Sequence, residues 1–198
     1  DAPDPLAIQI GSTTTLTTQG PVVNMGMSIT NPTTFYNLVS GVTDPVPNTP
    51  AGKELSFIRT VNQQTQKYAT VICGAANNVP TQGTYPSNNT LADQLKIVAR
   101  LVKGGLKTRV YMVSFGGFDN HSVQTQADTT TGTHATLLQR VSDAIKAFQD
   151  DLRGLGVEDR GIGMTYSEFG RRIKSNSSTG TDHGAAAPLF LFGSGIEP

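Results

Sequence analysis

The sequence predicts an α/β fold, and three observations predict it. Residues 53–76, 89–103 and 133–155 each repeat apolar side chains at intervals of three and four, the period of a helix packed on one face. Residues 108–114 form a short, strongly apolar run that reads as a central strand of a parallel sheet. From Tyr111 to Gly184 the order is strand, polar turn, helix, strand, polar turn. That order is how α/β proteins build a site at the carboxyl ends of their strands.

The elements follow in chain order. Leu6-Ala7-Ile8-Gln9-Ile10 reads as a short strand, and residues 13–17 as an edge strand or hairpin arm. Gly20-Pro21 breaks the pattern. Residues 22–30 read as another strand through Val22, Met25 and Ile29, weakened by Gly26. Asn31 and Pro32 look like the cap and first turn of a helix over 33–40 that ends at Gly41. Pro45, Pro47 and Pro50 predict a stiff loop over 43–52.

The helix from Lys53 places Leu55, Ile58, Val61, Thr65, Tyr68, Ala69, Ile72 and Ala76 on one face and ends at Asn77-Asn78-Val79-Pro80. Asn89 or Thr90 caps the next helix. Leu91, Leu95, Val98, Leu101 and Val102 form its stripe, and Gly104-Gly105 closes it. The third helix sets Leu137, Leu138, Val141, Ala144, Ile145, Phe148 and Leu152 against a polar side of Asp143, Lys146, Asp150, Asp151 and Arg153. Residues 160–165 read as a second core strand and 188–192 as a last one. These elements predict a single domain segment over 1–198: a strand- and loop-rich opening region, 1–52, and an α/β core, 53–198, that holds the candidate site.

Composition narrows the function. Formal net charge is zero and no basic run occurs, which removes electrostatic support for nucleic-acid or anionic-membrane binding. Charged residues make up only 15% of the chain, and Gly, Thr, Ser, Asn and Gln fill loops and a neutral polar surface. The single cysteine, Cys73, excludes an intrachain disulfide and, in its helical apolar pattern, predicts a buried inert thiol. No apolar stretch approaches the roughly 20 residues that span a bilayer. The chain opens at Asp1 with neither methionine nor signal peptide, as expected of a processed or clipped molecule.

Asp119 and His121 follow the apolar run, and Asp182 and His183 lie in Gly180-Thr181-Asp182-His183-Gly184. Carboxylate oxygen and imidazole nitrogen are good ligands for zinc, manganese or iron when a turn aims them at one ion. Glu168, at the end of a predicted strand, reads as a further ligand, a base or a salt-bridge partner. Arg171 or Arg172 reads as a planar fork for an anionic substrate group. The bland alternatives are turn caps for the aspartates, an i, i+3 ion pair for Glu168 and Arg171, and a helix-start or packing role for His134.

A longer, ordered motif set then becomes visible. Pro5-Leu6-Ala7-Ile8-Gln9-Ile10-Gly11, Phe115-Gly116-Gly117-Phe118-Asp119-Asn120-His121, Gln126, His134-Ala135-Thr136-Leu137-Leu138, Ala147-Phe148-Gln149-Asp150-Asp151-Leu152, Ser167-Glu168-Phe169-Gly170-Arg171-Arg172, Asn176 and Gly180-Thr181-Asp182-His183-Gly184 together resemble the bacterial DUF1501 family. That family is grouped with the alkaline phosphatase and sulfatase superfamily.

The resemblance implies a three-layer α/β/α sandwich with a mostly parallel sheet, alkaline phosphatase-like and incomplete at both ends here. It implies two metal ions about 4 Å apart that clamp a phosphate or sulfate ester. The metals would be divalent: zinc, manganese or calcium. Asp182 and His183 resemble the ligands of one ion, Asp119 and His121 those of the other, and Glu168 and Arg171 would be catalytic. The nucleophile position would precede Asp1, so no serine or threonine is named for it. The implied substrate is a small anionic ester or a sulfated or phosphorylated glycan, and the implied location is the periplasm or cell envelope. An exported, non-catalytic binding or scaffold protein on the same fold is the alternative.

Overall fold

The computed structural model describes residues 4–12, 16–18, 26–34, 45–79 and 82–197. It is a mixed α/β structure whose contacts gather into two compact units, Asp1–Gln82 with Lys96–Val113, and Gly83–Leu95 with Ser114–Pro198.

The first unit holds a three-stranded parallel sheet in the order β2-β1-β3: β1 is Ala7–Ile10, β2 Gly26–Ile29 and β3 Val110–Met112. All four residues of β1 are buried, as expected of a strand covered on both faces. The central strand is therefore Ala7–Ile10. The more apolar run at 110–112, expected in the centre, pairs only with β1, and Val110 is exposed. Gly26 weakens the strand pattern on paper, yet it opens β2, where any side chain would run into that of Thr18. Leu16–Thr18 form a turn of 3₁₀ helix where an edge strand was expected. The rest of that strand, residues 13–15, lies outside the described residues, as do 22–25. Asn31 accepts from the Thr33 amide at 2.9 Å and its hydroxyl at 2.7 Å. Most of the helix expected over 33–40 also lies outside the described residues.

Helix α1 runs Pro50–Asn77, three residues earlier than its apolar period suggests. Thr49 caps it, accepting from the Gly52 amide at 3.1 Å, and Pro50 takes a first-turn position where its missing N–H costs no bond. Burial follows the expected face only toward the end: Ala69, Ile72 and Ala76 are buried, whereas Leu55 and Ile58 are exposed. The side chains of Val61 and Thr65 lie outside the described residues. Cys73 is half-buried, not enclosed, and accepts from Asn77 Nδ2 at 3.4 Å. Helix α2 is Thr90–Lys103. Its cap is Asn89, whose Oδ1 accepts from Ala92 N at 3.3 Å. After it, Gly105 adopts φ 91°, and the amides of Gly105 and Leu106 return to Val102 and Leu101, a Schellman closure that Gly permits.

The second unit is built on α3, Thr133–Gly154, which ends in the same way at Gly156, φ 69°. Asp151, expected on the polar side of α3, is buried. It accepts from Gly83 N at 2.7 Å and Tyr85 OH at 2.8 Å, which anchors the loop before α2. Burial, and then the Asp151 carboxylate, push the Tyr85 hydroxyl well above its ordinary pKa. The remaining strands are two residues long and antiparallel: β4 (Gly163–Met164) with β7 (Leu191–Phe192), and β5 (Gly170–Arg171) with β6 (His183–Gly184). Met164 and Leu191 are exposed, so residues 160–165 and 188–192 are not core strands among the described residues. No helix among the described residues is long and apolar enough to cross a membrane.

Candidate functional site

Two loops of the second unit, distant in sequence, are joined main chain to main chain. Val123 N donates to Ser178 O at 2.9 Å, and Gln124 N to Thr179 O at 3.0 Å. Both loops turn through left-handed conformations at β-branched residues, Val123 at φ 50° and Thr179 at φ 54°. Such residues avoid that region, each at a cost of roughly 1–2 kcal/mol, so the contacts between the loops must hold them there.

The joined loops bring three sequence-predicted donors together. His183 Nε2 lies 2.8 Å from Asp119 Oδ1, and His121 Nε2 lies 3.2 Å from the same oxygen. The donor atoms of Asp119, His121 and His183 all fall within 4.8 Å of one another. An ionised carboxylate only accepts, so a ring nitrogen that hydrogen-bonds to it does so as N–H. Asp182 stands behind this group. Its Oδ1 is 3.5 Å from His121 Nδ1 and accepts from Asn176 Nδ2 at 3.1 Å. The pairing thus crosses between turns: Asp119 meets His183, and Asp182 meets His121.

The donor set fits a borderline divalent ion. Bonds of about 2.0–2.2 Å in tetrahedral geometry put ligand atoms roughly 3.3 Å apart; Asp119 Oδ1 lies 3.2 Å from His121 Nε2 and 2.8 Å from His183 Nε2, and all three donors lie within 4.8 Å of one another. All three residues are exposed, so an ion held there would keep a position open to solvent. Asp182, 3.5 Å from His121 Nδ1, stands where an outer carboxylate would orient that imidazole if its Nε2 held an ion.

Arg171 and Glu168 are placed differently. The guanidinium of Arg171 donates to Thr181 O and, at 2.6 Å, to Phe118 O. It also lies over the Phe169 ring, 5.0 Å from its centroid. Its donors serve the fold of the site and do not stand as a free fork. Glu168 is exposed and forms no ion pair with Arg171. Arg172 is 68% exposed, with one nitrogen 4.0 Å from Asp182 Oδ2. His134 stays in the first turn of α3, its ring edge-on to Phe118 at 6.0 Å.

Three contributors had no role assigned from the sequence. Asn176 donates to His121 O at 2.8 Å and to Asp182, while its Oδ1 receives the amides of Ser178 and Gly180. An asparagine followed by Ser-Ser-Thr-Gly is a turn signal that would have marked it. Gln124 is buried, donating to Asn120 O and Oδ1 and accepting from Thr181 Oγ1 at 3.0 Å. Phe169 stacks on His183, centroids 4.1 Å apart and planes 16° from parallel. Phe169 stands within the Ser167-Glu168-Phe169-Gly170-Arg171-Arg172 motif, but nothing local in the sequence points to its ring contact or to Gln124.

Hydrogen bonding holds both aspartates below the usual carboxylate range. For Asp119 the largest cause is His183, opposed by desolvation and reinforced by His121; for Asp182 it is Asn176, then His121. A depressed folded pKa contributes stability that is fully present above the unfolded value, about 3.8, and is lost as pH falls through the folded one. Asp119→Asn and Asp182→Asn are therefore expected to flatten the decline of Tm below about pH 4, read by thermal denaturation across pH. An unchanged acid limb in both variants would contradict these contacts.

A family model described as Protein of unknown function (DUF1501) matches residues 54–198. The chain belongs to the DUF1501 family. The matched span contains Asp119, His121, Glu168, Arg171, Asp182 and His183, so the whole candidate site lies within the part that defines DUF1501. No curated protein and no solved structure matches the chain.

Proposed function

We propose that this DUF1501 chain carries the metal-binding part of a metal-dependent hydrolase of phosphate or sulfate esters, of the alkaline phosphatase and sulfatase type, on a three-layer α/β/α sandwich. The observation that supports this most is the convergence of Asp119, His121 and His183 on one exposed point. A bound zinc, manganese or calcium ion would supply charge stabilisation to an ester oxygen. Asp119, His121 and His183 would hold it, and Asp182 would fix the His121 ring. Glu168, exposed between β4 and β5, is the proposed base. Arg171 is engaged by carbonyls, so Arg172 takes the anion-holding role at the rim of the site. The substrate is a small anionic ester or a sulfated or phosphorylated glycan, met in the periplasm or cell envelope.

One observation favours a second reading, an exported binding or scaffold protein. Arg171, expected to handle the anion, instead ties loops together. The two readings separate in one experiment. The full-length protein is assayed with p-nitrophenyl phosphate and p-nitrophenyl sulfate, with zinc, manganese or calcium added, alongside His183→Ala. Metal-dependent turnover that His183→Ala removes is the expected result. Metal bound without turnover supports the binding protein, and a protein that neither binds metal nor turns over ester overturns the hydrolase.

A further inference from the structure

We propose that Arg171 is the positioning residue that assembles the cation site from its two loops. Its guanidinium donates to the carbonyls of Phe118 and Thr181, the residues immediately before Asp119 and Asp182. One planar group thereby fixes the main chain at the root of each acidic side chain, across 53 residues on one side and 10 on the other. Three further observations tie it to the histidines. Arg171 is the register partner of His183 across β5 and β6. Phe169, in the bend just before β5, carries the Arg171 guanidinium on one ring contact and the His183 imidazole on another. Gly170 between them faces Gly184 O so closely that any side chain would push β6 away. The spacing Phe169-Gly170-Arg171 therefore sets a ring against His183 and a fork between the loops.

Lysine cannot do this. An ammonium is a single point charge, whereas the guanidinium offers a rigid fork to two acceptors at once. The role is to hold donors in register before any ion arrives, and supporting groups of this kind typically control metal affinity by about 10–100-fold. The consequence for affinity rests on the cation-site reading above; the clamp itself does not.

The test compares wild type, Arg171→Lys and Arg171→Ala, with Ala144→Gly in α3 as a variant destabilised away from the loops. Hydrogen exchange of the metal-free proteins is read over residues 118–124 and 178–183, and zinc affinity by titration calorimetry. Both Arg171 variants are expected to raise exchange in the two loops together, about 10-fold or more, and to weaken zinc binding by about 10–100-fold. Ala144→Gly is expected to lower Tm with zinc affinity retained. Arg171→Lys keeps the chain length and charge, so it reports even where the alanine variant does not fold. Unchanged exchange in either loop, or wild-type behaviour of Arg171→Lys, overturns the clamp. A wild-type protein that binds no zinc defeats the cation-site reading alone, and the exchange data still decide on Arg171.

Discussion

Replacing Asp119 by alanine is expected to lower zinc affinity by more than about 100-fold, since removing a ligand should exceed the 10–100-fold typical of a supporting group. Asp119 Oδ1 is the atom both imidazoles share, at 2.8 Å from His183 and 3.2 Å from His121. It is also the only carboxylate among the three converging donors, so its loss takes away the negative charge as well as a bond. Asp182→Ala leaves all three donors in place and removes only the group behind His121, so its effect should stay near the lower end, about 10-fold. Titration calorimetry of both variants checks the order. If Asp182→Ala equals or exceeds Asp119→Ala, the donors do not act as the single cluster described, and two separate within-turn pairs become the better account.

Gly180→Ala is expected to destabilise the second unit by about 1–3 kcal/mol, the usual penalty for overpacking, and to weaken metal binding at the same time. A side chain at 180 would meet the carbonyl of His121 and, at 2.9 Å, the amide nitrogen of Ser122. Those obstacles are main chain, with no side-chain torsion to relieve them. The 176–180 turn must therefore move off the 121–124 loop. That movement strains the bonds of Val123 to Ser178 and Gln124 to Thr179, and the Asn176 contact to His121 O. Gly161→Ala is the matched comparison, because nothing lies within 4 Å of the new atom there; it should stay within about ±0.5 kcal/mol. Thermal denaturation and zinc titration of the two variants decide the matter. A Gly180→Ala protein with wild-type Tm and affinity would mean the loops are not packed as described.

The helices were legible because their signals are local. The apolar stripe of α2, its asparagine cap and its closing glycines are all written within residues 89–106, and the structure follows them closely. The start of α1 was legible only in part. The apolar period begins after Lys53, but Thr49 and Pro50 start the helix, and a capping threonine before proline competes with the reading of three spaced prolines as loop. The strands were less legible. Residues 7–10 and 110–113 carry similar apolar patterns, and which of them sits in the centre depends on which neighbours flank it. Asp151 shows the same limit for a polar residue. Its position on the helix looks solvated until a distant amide and a tyrosine hydroxyl arrive to pair with it.

By itself the sequence determined the donor types, their place in two polar segments, the helical segments and the family. All of these follow from residue identity and short-range spacing. Only the tertiary structure decided that Asp119 serves His183 from the other loop, that Asp182 backs His121, and that Arg171 joins the loops and does not face outward. Each of those facts depends on which backbone carbonyls and rings come within reach when segments some 60 residues apart are paired, and no local pattern encodes that meeting.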